Sequence, residues 1–381
     1  MKVLIIPSWY PEGEDKLMGI YHKEYAYALS KSNVEVDMLH ISRQGIRHPL
    51  KYLFMKKLEI DNEDGYNVYK LKMLNTEKIN TKLFMNTYTK KLNKLFKYYL
   101  KNNSKPDILH AEVTIPAGYA VAKLGKKYNI PVVLTEHSSG FMDFFNGKYK
   151  DYSMYALNNS YYTTVSNMMK KQLSTISDKC DILPNLINTD KYKVKRYKRG
   201  NTLNLITICA LRKGKGIEKV IEALNVLVNE KNIKNVHLNI VGDGYLMNFY
   251  KETADELNMS KYITFHGQKT NKEIIELLSK NDIFVVGSRY ETFCIPGVEA
   301  LASGIPIVTT KCGGIEEYID KKCGELCKSR DAIDIADKIE YVYKNLDKYD
   351  VNYLRSVSDR YSYKNVCDKA KEIYNILIKK S

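Results

Sequence analysis

The 381-residue sequence lacks any run near the roughly 18 consecutive apolar residues of a membrane-spanning helix, and its opening apolar stretch, KVLIIPSW, is too short for a secretion signal. It also lacks a C-x-x-C pair. Its seven cysteines, an odd number, are scattered at 180, 209, 294, 312, 323, 327 and 367. That pattern argues against a disulfide framework or a zinc site, and Cys323 and Cys327, the one close pair, read as buried or half-buried thiols. The expectation is a reduced, cytoplasmic protein. Zinc-finger spacing, an RNP-like strand and a helix-turn-helix pattern are missing too, so nucleic acid is not an expected partner. Internal repeats, low-complexity segments and the pair Asp-x-Asp are likewise absent.

What is present is ordinary globular composition, 44% hydrophobic and 27% charged, in a chain long enough for two domains that each bury a core. The charge is not ordinary. Residues 1–200 carry 33 basic and 19 acidic side chains, a surplus of 14, whereas 201–381 carry 27 and 25, a surplus of 2. The first half should favour an anionic partner such as anionic lipid or a phosphorylated substrate.

Short apolar runs alternate with helical-period segments, the pattern of parallel sheets with crossover helices. In the first half the strand candidates are KVLIIPSW (2–9), VEVDMLHI (34–41), YNVYKLKM (66–73), PDILHAEV (106–113), PVVLTEH (131–137) and YYTTVS (161–166). Helices are expected near 20–32, 77–102, 117–128 and 167–175. The pattern restarts with NLITICA (204–210), VHLNIVGDG (236–244), YITFHG (262–267), DIFVVGS (282–288) and IPIVTT (305–310). Two doubly wound α/β domains follow, joined near the basic stretch 191–201. Ligands of such sheets sit at the carboxyl ends of the strands, so the residues just past each strand are the candidates for function.

The most informative segment is SRYETFCIPGVEALASGIPIVTT (288–310). Glu291 follows a strand, Pro296-Gly297 opens a short helix, and Glu299 lies near its first turn. Between the two carboxylates, free backbone N–H groups from Cys294 to Val298, including those of Ile295 and Gly297, make an anion site by helix-terminus geometry. That combination suits a sugar nucleotide, whose diphosphate needs donors and whose hydroxyls need acceptors. Acids that merely favour the helix dipole are the other reading of the same spacing.

Glu-x7-Glu within ETFCIPGVEALASGIPIV resembles the signature of the retaining glycosyltransferases of family 4, which adopt the GT-B architecture. The resemblance extends to KGKGIEKVIEALNVL (213–227), LNIVGDGYL (238–246), ITFHGQKTNKEIIELLSKNDIFVVGS (263–288) and ILPNLINTDKY (182–192). It implies an acceptor-side Rossmann-like domain at 1–195, a nucleotide-sugar domain at 196–362 facing it across a cleft, and a helix at 363–381 crossing back to the first.

By the same resemblance, Glu299 binds the ribose of the donor nucleotide, Glu291 contacts the transferred sugar, and Lys215 neutralises the diphosphate leaving group. The amides of Ile295 and Gly297 would share that work, with Cys294 at the helix start. His137, past the end of PVVLTEH, matches a cleft histidine near the donor sugar, whereas His110, in mid-strand, reads as a satisfied core histidine. Gly19 belongs to a turn that approaches the donor phosphates. The backbone near Gly267 and Gln268 would meet the base. Trp9 reads equally as packing or as part of an acceptor site. One departure stands out: Ala210 occupies a position where the family often has arginine, which leaves Arg212 or Lys213 as the second phosphate cation. Without Asp-x-Asp, no metal is expected on the diphosphate and no cofactor is implied.

The acceptor is expected to be a glycan, a lipid-linked sugar or a protein in cell-surface polysaccharide synthesis. The stretch TKLFMNTYTKKLNKLFKYYLKNN (81–103) has leucines and aromatics at helical spacing among lysines. It reads either as a crossover helix with a solvated lysine face or as a basic amphipathic helix on an anionic membrane, at the inner face of the cell membrane. A sugar-nucleotide epimerase of the same architecture, or a catalytically silent sugar-nucleotide-binding protein, are the competing functions.

Overall fold

A computed structural model describes residues 1–12, 18–45, 57–194 and 201–380. The chain divides into two compact units, one comprising Met1–Leu186 with Tyr363–Ser381 and the other Ile187–Ser362. The division falls at Leu186, nine residues before the 195 read from the sequence, and much of the basic joint, 195–200, lies outside the described residues.

Among its described residues the first unit is built on eight strands: β1 (Lys2–Pro7), β2 (Glu35–Gln44), β3 (Leu58–Glu63), β4 (Tyr66–Leu74), β5 (Ile108–Glu112), β6 (Val132–Glu136), β7 (Tyr161–Thr164) and β8 (Asp181–Ile182). Their order is β3-β4-β2-β1-β5-β6-β7-β8, and every pairing is parallel except β3 with β4. Strands β1, β5 and β6 are buried along their whole length, which is why they read as continuous apolar runs rather than alternating ones. Strand β3 escaped the sequence reading because LEIDNE is largely polar and half-exposed. Its signal was the Asp64-Gly65 turn between Glu63 and Tyr66, which are paired, with Gly65 at φ 95°.

The helix Thr81–Asn102 starts four residues later than the spacing implies, because Asn80 caps it by accepting from the Leu83 amide at 2.8 Å. Its apolar face, Phe84, Met85, Tyr88, Leu92, Leu95, Phe96 and Tyr99, is buried, and it packs on β2 and β4. Tyr99 anchors it further by donating to Asp37 Oδ2 at 2.8 Å. This settles the reading of the segment as a crossover helix: the face that an interfacial helix would put into lipid is covered by its own sheet.

The helix Tyr363–Ile378 also belongs to this unit and packs against the helix Ile20–Ser30 through Val366, Ala370, Ile373 and Tyr374. With that helix included, the first unit holds 32 basic and 20 acidic residues and the second 28 and 24. The charge asymmetry is kept but is smaller than a cut at residue 200 shows.

Among its described residues the second unit has six parallel strands: β9 (Leu203–Ile208), β10 (Val236–Val241), β11 (Ile263–Gly267), β12 (Ile283–Val286), β13 (Ile307–Thr309) and β14 (Gly324–Leu326). They run in the order β11-β10-β9-β12-β13-β14. Two such Rossmann-like sheets are the α/β architecture implied by the resemblance.

Candidate active site

In each sheet the direction of strand addition reverses once, between β1 and β5 in the first and between β9 and β12 in the second. Crossover loops leave such a point on opposite sides and open a crevice at the carboxyl ends of the strands. The candidate residues gather at these two points.

In the second unit, Lys215 lies on the turn after β9 and Glu291 on the loop after β12. Lys215 Nζ donates to Glu291 Oε1 at 2.7 Å, and Ser288 Oγ donates to the same oxygen at 2.6 Å. Both charged side chains are mostly buried, 16% and 12% exposed. Burial by itself would lower the Lys215 ammonium, but Glu291 beside it outweighs burial and holds it above the usual lysine value. The backbone contact is equally close: Arg289 N–H donates to Gly214 O at 2.8 Å, and a Cβ on Gly216, at φ 67°, would lie 1.9 Å from Gly287 O. Only glycine lets this turn meet the end of β12.

The helix Ile295–Ala302 begins just beyond, with Cys294 as its N-cap in left-handed backbone and Pro296 in its first turn. As the first helical residue, Ile295 has no intrahelical acceptor for its N–H. Gly297 differs from the expectation: its N–H donates to Cys294 O at 3.1 Å, so it is not free for an anion. The Tyr318 hydroxyl, which donates to Cys294 O at 2.7 Å, leaves no room for a side chain at Gly297. Burial and then Glu291 push the Cys294 thiol well up, so it stays protonated. Glu299 is 9% exposed and accepts from the Tyr192 hydroxyl at 2.7 Å, a partner the sequence did not point to. Arg212, Lys213 and Gln268 are exposed, and the cation left open by Ala210 is not resolved by any contact to Lys215 or Glu291.

In the first unit Gly19, at φ 78°, precedes the helix Ile20–Ser30, and a Cβ there would lie 2.6 Å from Trp9 O. His137, just past β6, contacts Glu112 Oε2 through Nε2 at 2.6 Å and Asn185 Oδ1 through Nδ1 at 3.0 Å. His22, on the first turn of the helix Ile20–Ser30, places Nδ1 3.6 Å from the same Glu112 oxygen. His110 is satisfied as a core histidine, with Tyr374 Oη at 2.6 Å and Thr135 Oγ1 at 2.7 Å. Burial would raise the Glu112 carboxyl, but the neighbouring histidines His110, His137 and His22, with the hydrogen bond from His137, hold it far below the usual carboxylate range.

Glu112, His22 and Asn185 were missed in the sequence. The legible signal was HAE at the end of PDILHAE, which puts His110 and Glu112 on one face of a strand at its carboxyl end. One atom each of His22, Glu112 and His137 lie within 4.8 Å of one another. Their closest approach is the 2.6 Å hydrogen bond between His137 and Glu112.

Backbone strain marks the same places. Among the described residues six non-glycines have positive φ, and four are asparagines just past helix ends. The other two are Val113, which follows Glu112, and Cys294, beside the Glu291 loop. Such conformations cost about 1–3 kcal/mol each and concentrate at functional sites.

Two family descriptions match adjoining stretches, Glycosyltransferase Family 4 over 18–191 and Glycosyl transferases group 1 over 188–353. The chain belongs to the family 4 glycosyltransferases. An uncharacterized glycosyltransferase of Methanocaldococcus jannaschii is 24% identical over 99% of this chain and 98% of its own. TuaC of Bacillus subtilis, provisionally assigned to teichuronic acid biosynthesis, is 23% identical over 92% of each. The Anabaena protein Alr3699/HepE, solved in complex with UDP, has the same fold at a TM-score of 0.74 and 16% identity, covering 99% of this chain and 100% of that one. The family 4 member described here therefore has the GT-B architecture, as the Glu-x7-Glu resemblance implied.

Proposed function

We propose that this glycosyltransferase moves a hexose-type sugar from a nucleoside diphosphate to a glycan, lipid-linked or protein acceptor, with retention of anomeric configuration and without a metal on the diphosphate. The observation that carries this reading is the Lys215–Glu291–Ser288 cluster at the switch point of the second sheet. A leaving nucleoside diphosphate gathers negative charge on its outer phosphate, and a preorganised ammonium lowers that barrier. Lys215 is such a group, and the Ile295 N–H at the helix start adds a dipole of the same sign.

In this reading the diphosphate takes Lys215 from Glu291, which frees the Glu291 carboxylate for sugar hydroxyls. Glu299 takes the ribose, and Tyr192 fixes its orientation. The family resemblance assigns Gly19 to the donor phosphates and His137 to the donor sugar. The UDP in the Anabaena structure and the teichuronic acid assignment of TuaC support a nucleotide donor and a cell-surface acceptor. No helix among the described residues is long and apolar enough to cross a membrane. With most of the apolar face of Thr81–Asn102 buried, contact with an anionic membrane surface at the cytoplasmic side would rest on its lysines, with Leu83 and Tyr98 the exposed apolar side chains beside them.

A thermal-shift panel of UDP-, GDP- and ADP-sugars tests the donor reading. A ligand present at 100 times its dissociation constant stabilises by about 2.7 kcal/mol. A single base should raise the melting temperature, followed by slow release of free sugar without acceptor. A flat response to the whole panel would overturn the reading, and binding without hydrolysis or transfer would favour a silent sugar-nucleotide-binding protein.

A further inference from the structure

Glu112 is 2% exposed at the end of β5, yet of the three histidines around it only His137 is within hydrogen-bond reach, at 2.6 Å. His22 and His110 stand 3.6 Å away. An ionised carboxylate can only accept, so the hydrogen in the short contact belongs to His137 Nε2. The opposite nitrogen, Nδ1, faces the Asn185 amide at 3.0 Å. A carboxamide offers oxygen in one orientation and nitrogen in the other, so this neighbour can serve the ring with or without a proton at Nδ1.

The rest of the surroundings hold the ring without competing for that proton. Tyr21 lies against it with ring centres 4.7 Å apart, and His22 meets it edge-on at 5.1 Å. His22 is 1% exposed, and neither of its ring nitrogens has a hydrogen-bond partner. Burial pushes it down to about 4, so it is neutral at physiological pH. The titratable groups facing His137 are thus Glu112 and His110 from β5, Tyr21 and His22 from the helix Ile20–Ser30, and Glu136 from its own strand. The Glu136 carboxylate is occupied by the backbone N–H groups of Thr114, His137 and Ser138.

We propose that Glu112 is the positioning residue of this site: it fixes one proton of His137 at Nε2 and leaves Nδ1, facing Asn185, as the place where the ring gains and loses its second proton. The buried charge of Glu112 is then balanced whenever His137 is an imidazolium. The catalytic consequence rests on the reading of His137 as a contact of the donor sugar. The position of the proton does not.

The test is long-range proton–nitrogen NMR on the full chain labelled at histidine, with His137 assigned by its loss in His137→Gln. In the unchanged protein the neutral ring should be the Nε2–H tautomer. Glu112→Gln should mix the two neutral tautomers, since a carboxamide can face Nε2 with either its oxygen or its nitrogen. Asn185→Ala, at a half-buried loop position, should keep the proton on Nε2, and it carries the same test if Glu112→Gln does not fold. The pH profile of transfer should change in Glu112→Gln, with nucleotide affinity unchanged. An Nδ1–H tautomer in the unchanged protein or in Asn185→Ala, or a pure Nε2–H tautomer in a folded Glu112→Gln, would overturn the proposal. Tautomers as stated with an unmoved pH profile of transfer would uphold the proton placement and overturn the sugar-contact reading.

Discussion

Lys215 and Glu291 form a 2.7 Å ion pair between the turns that follow β9 and β12, two strands that are neighbours in the sheet although β10 and β11 come between them in the sequence. Each charge holds the other in place. In the proposed mode of binding a donor replaces one half of the pair, so removing either partner would have two effects, loss of a ligand contact and release of a mostly buried opposite charge.

Lys215→Ala should cost transfer about 100- to 1,000-fold, the usual loss when one preorganised electrostatic group is removed. Arg212→Ala, exposed and outside the ion pair, should weaken transfer by much less. Initial rates with a fixed acceptor decide the matter. Full activity in Arg212→Ala would remove that side chain from the site.

Gly216→Ala forces a Cβ to within 1.9 Å of Gly287 O at a backbone φ of 67°. The strain alone is worth roughly 1–3 kcal/mol, and its relief must displace Lys215. A lower melting temperature together with slower transfer is expected, and an unchanged melting curve would show that the turn adapts.

Tyr374→Phe deletes the hydroxyl that meets His110 Nδ1 at 2.6 Å and Tyr25 Oη at 2.8 Å. A fully buried histidine nitrogen is left unsatisfied, at a cost of about 1–3 kcal/mol. Urea denaturation should show a lower midpoint with an unchanged slope, and no drop would mean that water or a rotated Thr135 replaces the hydroxyl.

Acid should destabilise the first unit through two groups acting in the same direction. His22, pushed down by burial to about 4 from an ordinary 6.5, leaves the unfolded chain binding more protons between those values. Its contribution, up to about 3 kcal/mol, is complete above pH 6.5 and lost as pH falls toward 4. Glu112, held far below its ordinary 4.5, contributes stability present above that value and lost on further acidification. Melting temperatures measured from pH 7 down to 4 should fall throughout. A plateau across pH 6.5 to 4.5 would contradict the neutral, buried state of His22.

Transfer should persist in a chelator if, as proposed, Lys215 and the helix-start N–H of Ile295 take the place of a divalent ion on the diphosphate. Activity that vanishes in EDTA and returns with added magnesium would refute the metal-free reading.

Much of this was legible in the chain. Strands such as KVLIIP and VVLTE are continuous apolar runs because both their faces are buried, and that pattern alone implies a parallel sheet covered by helices. Strand β3 was harder to read because an edge strand buries little and so leaves little apolar signal. The start of the helix at Thr81 depended on one side-chain cap, Asn80, which a periodicity reading passes over. The Glu-x7-Glu segment was legible because both carboxylates lie on one loop and the helix after it.

The cluster around Glu112 was not legible in that way, since its members come from the ends of β5 and β6, the helix after β1, and the segment at Asn185. The sequence by itself determined the two doubly wound sheets, through local period, and the glycosyltransferase family, through the resemblance of the Glu-x7-Glu segment, and it set Lys215 and Glu291 on the turns after two strands. Only the tertiary structure decided that the lysine-rich helix hides its apolar face, that Gly297 spends its N–H on Cys294, and that His22, Glu112, His137 and Asn185 meet. Crossover connections make neighbours of strands that are distant in the chain. The hydrogen bonds of a buried carboxylate are therefore settled by which strands lie side by side, a relation that no local pattern encodes.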